Sequence, residues 1–298
     1  MKIQGTGLPF SPHQSSCSNR VPANFEWTED GADIEVWVDN LIPYAVKKER
    51  ADGVNRYAWF CESRAIVPHL REAFNNDSII EELAELYDGI FTCEKELVDK
   101  HEKIHFCYAG SNLPWVSEYK IHDKTKLCSF LSSSKSLTQA HEFRHDLYNK
   151  LRVRVKGQPI VNLFGSVTGV PFGRNKGCHL DNDTPWHDKT DALQDFMFSI
   201  VIENDQYDDY FTEKITDCFA TGTIPLYYGT KNIGDYFNID GIIEIPMDVD
   251  IVDFMVTNRL TKELYYDKMN AIKDNFERVK NMQSADDMLF DKIQELNQ

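Results

Sequence analysis

Residues 203–229 read ENDQYDDYFTEKITDCFATGTIPLYYG, and their order decides the fold. The apolar run FMFSIVIEN (196–204) ends in polar residues, a short acidic loop follows, and an amphipathic helix opens on Thr212, Glu213 and Lys214. A second apolar run, IPLYYG (224–229), closes the unit. Short apolar runs separated by one amphipathic helix are the pattern of a βαβ unit with parallel strands. Open sheets of that kind bind ligands beyond the carboxyl ends of their strands. The pattern therefore predicts Asn204, Tyr210, Glu213 and Lys214 near a ligand-bearing edge.

Outward from this stretch the same rhythm repeats. KLCSFLSS (126–133), a helical stretch near 138–152, PIVNLFGS (159–166) and IIEI (242–245) complete the second half of the chain. The first half offers DIEVWVDN (33–40), RYAWFCES (56–63), GIFTC (89–93) and KIHFCYAG (103–110), with the helical IIEELAELY (79–87) among them. Two tandem α/β domains are expected, 1–120 and 121–298, with the seam near residues 115–124, where both periodicities fail. Residues 253–298 read as helical, their stripe of Leu260, Leu264, Ile272, Phe276 and Val279 packing against a domain. The polar, glycine-containing stretch 165–187 reads as a long loop near the ligand.

Bulk composition narrows the function. The chain has 298 residues, 42% of them hydrophobic, which is ample for real cores. Its 48 acidic and 32 basic residues give a net charge of −16, which argues against general nucleic-acid binding and demands locally placed cations for any anionic ligand. No apolar run reaches membrane-spanning length, and residues 1–20 lack the apolar core of a signal peptide, so a soluble cytoplasmic protein is expected. Seven cysteines without a CxxC pair suit neither a disulfide framework nor a zinc ribbon; those at 61, 93, 107 and 128 lie in apolar runs as small core residues.

A Glu-Lys pair at a helix start is chemically useful. The carboxylate can accept two ribose hydroxyls while the ammonium faces phosphates, about 100° away around the helix. The wider pattern, FSIVIEN, DYFTEK and IPLYYG in that order, resembles the fucosyltransferases of glycosyltransferase family 10. The likeness continues into DYFNIDGIIEI (235–245) and, upstream, into 126–151, where Arg144, Leu147, Tyr148 and Leu151 match an arginine-bearing helix. The resemblance implies a GT-B fold, two Rossmann-like α/β domains, with a C-terminal domain that binds GDP-fucose and an N-terminal one that binds a glycan acceptor. On the matching positions, Arg144 and Lys214 would hold the diphosphate, Glu213 the ribose, and Asn204 and Tyr210 would line the same pocket. Such cations stabilise charge growing on a departing diphosphate, so no metal or other cofactor is expected. WFCESRAIVP (59–68) resembles the family's strand-end Glu-Ser-Pro, which makes Glu62 the candidate base; Arg64 stands at the proline's place. Ser132 and Ser133 stand where the family has Ser-Asn.

His141-Glu142-Phe143-Arg144-His145 is a literal HExxH, a pair of zinc ligands and a base when helical, but it lacks a third ligand in the zincin pattern. His179, Asp181 or His187 would have to serve. Asp181-Asn182-Asp183 imitates a DxD metal motif, although turn-forming residues explain it equally well. Another nucleotide-sugar donor on the same fold is the nearer alternative. Trp37 and Trp59 sit in strand runs as core, whereas Trp115 and Trp186 are flanked by loop residues and suit sugar stacking.

Overall fold

The computed structural model describes residues 1–7, 21–28, 30–152, 161–169, 172–173 and 187–298. The chain forms two compact units that interleave in sequence. Unit 1 comprises Met1–Leu113, Tyr207–Thr212 and Gln283–Gln298; unit 2 comprises Pro114–Gln206 and Glu213–Met282.

Unit 1 holds β1 (Lys2–Thr6), β2 (Glu26–Thr28), β3 (Ile34–Val38), β4 (Asn55–Phe60), β5 (Gly89–Thr92) and β6 (Ile104–Phe106). They form a six-stranded sheet in the order β2-β1-β3-β4-β5-β6, parallel throughout. Side chains alternate across a strand, so a strand covered on both faces must be apolar at nearly every position. On β4, Tyr57 and Trp59 join Ile34, Val36 and Val38 of β3 in one core. Ala58 and Phe60 point the other way, into a core with α1 (Pro68–Asn75) and α2 (Asp77–Leu86), which contribute Leu70, Ala73, Ile80 and Leu83. A short α3 (Lys95–Val98) follows β5.

Unit 2 is built on β7 (Lys126–Leu131), β8 (Asn162–Phe164), β11 (Phe196–Ile202), β12 (Ile224–Tyr228) and β13 (Ile243–Glu244), a parallel sheet ordered β13-β12-β11-β7-β8. A two-stranded pair, β9 (Phe172–Gly173) and β10 (His187–Asp188), lies apart from it in sheet terms. All seven residues of β11 are buried, which its unbroken apolar run anticipates. The helices are α4 (Gln139–Arg152), α5 (Thr190–Leu193), α6 (Glu213–Thr221), α7 (Ile251–Thr257), α8 (Lys262–Asp267) and α9 (Met269–Asn281). Ile200, Ile202, Leu226, Phe143, Leu147, Met255 and Ile272 share its core.

The single division at 120/121 is thereby corrected. The last helix, α10 (Ala285–Leu296), returns to unit 1, where Ala285, Leu289, Phe290 and Ile293 pack with Phe25, Trp27 and Trp59. Burial of the three larger side chains contributes about 1.5–3 kcal/mol each. Asn112 fixes the helix start, accepting the Ala285 N–H and donating to the Gln283 carbonyl, both at 2.9 Å. Trp27 donates its indole N–H to Asp286 at 2.7 Å. The second displaced piece, Tyr207–Thr212, precedes α6 and belongs to unit 1 as well. The Asp181-Asn182-Asp183 motif, His179, Trp186 and most of the 165–187 loop lie outside the described residues. Among the described residues no helix is long and apolar enough to cross a membrane.

Candidate active site

Strand order positions the site in unit 2. From β7 the chain crosses to β8 on one side, and from β11 to β12 and β13 on the other, so the order reverses between β7 and β11. Open α/β sheets bind ligands at this switch point, beyond the strands' carboxyl ends. The residues beyond β11 are Glu203 and Asn204.

α4 is anchored to that edge from its first turn. Thr138 Oγ1 accepts the His141 backbone N–H at 3.2 Å, an N-cap, and donates to the Asn204 carbonyl at 2.8 Å. One turn on, Arg144 donates from Nε and Nη2 to the Ile202 carbonyl at 3.0 and 2.6 Å, and from Nη2 to Asn204 Oδ1 at 2.8 Å. The guanidinium is 4% exposed, so it is a clamp on the strand end as well as a charge. Lys214 reaches the intervening residue: its ammonium lies 3.3 Å from Glu203 Oε2 and 3.8 Å from Glu213 Oε1. Arg144 and Lys214 thus meet three consecutive residues, 202 to 204, from two different helices.

Gly229, the last residue of IPLYYG, serves the same edge. A Cβ there would lie 2.7 Å from Glu203 Cγ and 2.2 Å from the Tyr227 hydroxyl, so only glycine lets the Glu203 side chain pass. Glu203 is fully buried.

One residue, Lys189, and one arrangement, that of His141, escaped the sequence reading. Lys189, just before α5, places its ammonium 2.9 Å from Glu213 Oε1 and 2.8 Å from Asp217 Oδ2, with all three side chains buried. Burial pulls the Lys189 ammonium down, but Asp217 and Glu213 outweigh it and hold it above the ordinary lysine range. Asp217 is pushed up to about 6 by burial, although Lys189 pulls the other way. Lys189 also lies 4.6 Å from the Trp115 ring centre, which gives that indole a cation to face. The only hint in sequence was the i, i+4 pair Glu213 and Asp217, two acids on one buried helix face that need a counter-ion.

The second feature is His141. Its Nδ1 lies 2.9 Å from Thr138 Oγ1. The Thr138 proton is committed to the Asn204 carbonyl, so Nδ1 carries the imidazole proton and Nε2 presents its lone pair. Nε2 is buried without a partner among the described residues. Burial, then Arg144, Lys214, Lys135 and His145, pull its pKa down to about 4. The HExxH histidines do not converge: His145 Nε2 sits 3.0 Å from the Lys135 carbonyl. Among the described residues no three His, Cys, Asp or Glu side chains form a group that could hold a metal.

The other two sequence candidates meet in unit 1. Tyr210, expected to line the pocket with Asn204, belongs to unit 1, where it donates its hydroxyl to Glu62 Oε2 at 2.8 Å. The reason is packing: Tyr210 is fully buried with Cys93 and Ala109. The preceding Asp209, at a φ of 64°, pairs with Lys95 at 2.7 Å. Glu62 follows β4, and Asp39 Oδ1 holds its turn by accepting the N–H groups of Cys61 and Glu62 at 2.8 and 3.2 Å. Burial, then the Glu62 charge, push Asp39 up to about 7. Arg64 pairs with Glu94 at 2.7 Å and lies over the rings of Phe74 and Tyr207.

Comparison with known proteins bears on the family and the fold. The family model described as glycosyltransferase family 10 (fucosyltransferase) C-term matches residues 121–279, more than half of the chain. An alpha-(1,4)-fucosyltransferase of Arabidopsis thaliana is 23% identical over 156 residues, 51% of this chain and 39% of that protein. The alpha-(1,3)-fucosyltransferase FucT of Helicobacter pylori is 27% identical over 121 residues, 38% of this chain and 24% of its own length. The chain therefore matches well under half the length of these relatives. A crystal structure of alpha1,3-fucosyltransferase with GDP superposes at a TM-score of 0.50 and 14% identity, covering 96% of this chain and 92% of that one. An S. aureus TarM structure gives 0.54 at 12% identity, covering 90% and 56%. These likenesses give the fold, GT-B, in keeping with two parallel α/β sheets. The family match spans α4, β11, α6 and β12, the elements that carry Arg144, Asn204, Glu213 and Lys214: the chain belongs to glycosyltransferase family 10.

Proposed function

We propose that the chain is an inverting fucosyltransferase that moves fucose from GDP-fucose to a hydroxyl of a glycan acceptor. The observation that carries this reading is the convergence of Arg144 and Lys214 on residues 202–204 at the switch point of unit 2. Arg144 and Lys214 would meet the diphosphate, Glu213 the ribose, and Asn204, oriented by Arg144, the same ligand. As the glycosidic bond lengthens, negative charge grows on the leaving diphosphate, and fixed cations stabilise it without reorganising. Glu62, oriented by the Tyr210 hydroxyl, would take the acceptor proton in unit 1, so Tyr210 serves the base rather than the donor. Because two side-chain cations carry the phosphate charge, we propose that no divalent ion is required. Thiols at Cys93, Cys128 and Cys218, buried and outside any disulfide, suit a reducing compartment, which supports a cytoplasmic site of action.

The test is calorimetric titration with GDP-fucose, GDP, GDP-mannose, UDP-glucose and UDP-N-acetylglucosamine, with and without chelator, followed by a glycan-array search. Binding of the guanosine ligands alone, unchanged by chelator, is expected. Preference for a uridine donor would move the chain to another glycosyltransferase activity on the same fold.

A further inference from the structure

We propose that Lys189 is a positioning residue for nucleotide recognition: it holds the Glu213 carboxylate in its ribose-binding rotamer and keeps Lys214 from being captured by that carboxylate. The inference rests on the reading of Glu213 as the ribose ligand and adds a residue that no motif pointed to.

Geometry carries it. Glu213 and Asp217 lie four residues apart on α6, hence on one face, and both are buried. Two such carboxylates repel unless a cation stands between them, and Lys189 does so at 2.9 and 2.8 Å. An ammonium has three donors. Two point at carboxylates and the ammonium also faces the Trp115 ring at 4.6 Å, so Lys189 is held on every side. Asp217 is held in turn, its Oδ1 accepting the N–H groups of Trp115 and Val116 at 2.6 and 3.0 Å. The chain thus fixes Asp217 by backbone, Lys189 by Asp217, and Glu213 by Lys189.

Lys214 approaches the same oxygen, Glu213 Oε1, but only to 3.8 Å, and it is 24% exposed where Lys189 is 8% exposed. With Lys189 present, Glu213 has its own counter-ion. Without it, Lys214 is the nearest remaining cation to Glu213 among the described residues. Glu213 then swings toward Lys214, and the ribose loses its acceptor while the phosphates lose their donor.

The experiment compares GDP with 2′,3′-dideoxy-GDP, which lacks the hydroxyls that Glu213 would accept. Wild-type protein should bind GDP at least about tenfold more tightly than the dideoxy analogue, the size of one charge-assisted hydrogen bond. Removing Lys189 alone would leave two buried acids facing each other, so the test uses Lys189→Met with Asp217→Asn. The asparagine keeps an acceptor for Trp115 and Val116, and the pair removes one charge of each sign. In this double variant the preference for GDP should collapse to within about twofold, while Asp217→Asn alone retains it. A merely structural role for Lys189 would weaken both ligands equally and leave the ratio as in wild type; that result overturns the proposal. Should the methionine variant not fold, Lys189→Gln with Asp217→Asn replaces it, with the same expected collapse. Glu213→Gln separates the two levels: if it keeps the wild-type ratio, the ribose assignment is what fails.

Discussion

Replacing Arg144 by methionine should cost stability and binding together, because the guanidinium holds the strand end that would receive the ligand. Three of its hydrogen bonds meet the Ile202 carbonyl and Asn204 Oδ1 in a region where the arginine is 4% exposed. Methionine fills a similar volume but leaves both acceptors without their donor. An unsatisfied buried acceptor costs about 1–3 kcal/mol, so a loss of about 3 kcal/mol is expected from the two together. Chemical denaturation reads this as a lowered midpoint at unchanged slope. GDP affinity should fall about 100-fold or more, because the charge is lost and Asn204 is released at once. Arg144→Lys keeps the charge but cannot span both acceptors with a planar fork, and should recover only part of either loss. Stability of Arg144→Met within about 0.5 kcal/mol of wild type would refute the clamp. Wild-type GDP affinity in the same protein would refute the ligand role.

Two further expectations concern unit 1. Tyr210→Phe removes the hydroxyl that meets Glu62 at 2.8 Å, so turnover should fall about tenfold while GDP affinity, measured by calorimetry, stays as in wild type. A fall in GDP affinity instead would return Tyr210 to the donor pocket. Asp39, raised to about 7 by burial and Glu62, binds its proton more tightly in the folded state than in the unfolded chain, so its contribution is fully present below about pH 4 and is lost as pH rises through 7. Asp39→Asn keeps the acceptor for Cys61 and Glu62 without the charge. It should be about 2 kcal/mol more stable than wild type at pH 8 and no more stable at pH 4, the nominal shift being halved for residual solvent access. Denaturation curves of the two proteins that run parallel between pH 4 and 8 would contradict this.

Much of the fold was legible because buried parallel strands must be apolar on both faces. FMFSIVI became β11, IPLYY became β12, and the helix expected near 138–152 is α4 at 139–152. What escaped was decided by contacts distant in sequence. β1, KIQGT, carries one buried residue, so no run marked it as a strand; it is made by pairing with β2 and β3 on either side. Residues 253–298 read as helical, but nothing in the sequence says whether Leu289 and Ile293 of α10 meet Trp27 or the helices of unit 2. Tyr210 stands three residues from Glu213, and adjacency suggested one pocket, yet the chain changes units between them. Lys189 was invisible for a related reason: its partner lies 24 residues away and comes to it only through the fold.

The charge arrangement reconciles an acidic chain with an anionic ligand. At a net −16, repulsion acts at long range but is screened beyond about 8–10 Å at physiological salt, so local geometry decides. Among the described residues, Arg144, Lys189 and Lys214 are set among Glu203, Glu213 and Asp217, so cations and carboxylates alternate there. On the proposed reading, a diphosphate would draw Lys214 away from its carboxylates. Among the pairs between described residues, Arg144 meets the strand end and Lys189 two acids at 2.9 and 2.8 Å, whereas those of Lys214 are longer, 3.3 and 3.8 Å, and Lys214 is more exposed than Lys189. Coulomb attraction falls with distance, and solvent screens the exposed partner most, so Lys214 is the least costly of the three to redirect. On the proposed reading, Arg144 would meet the ligand in place, held by the strand end, Lys189 would hold the framework, and Lys214 would turn to the phosphates.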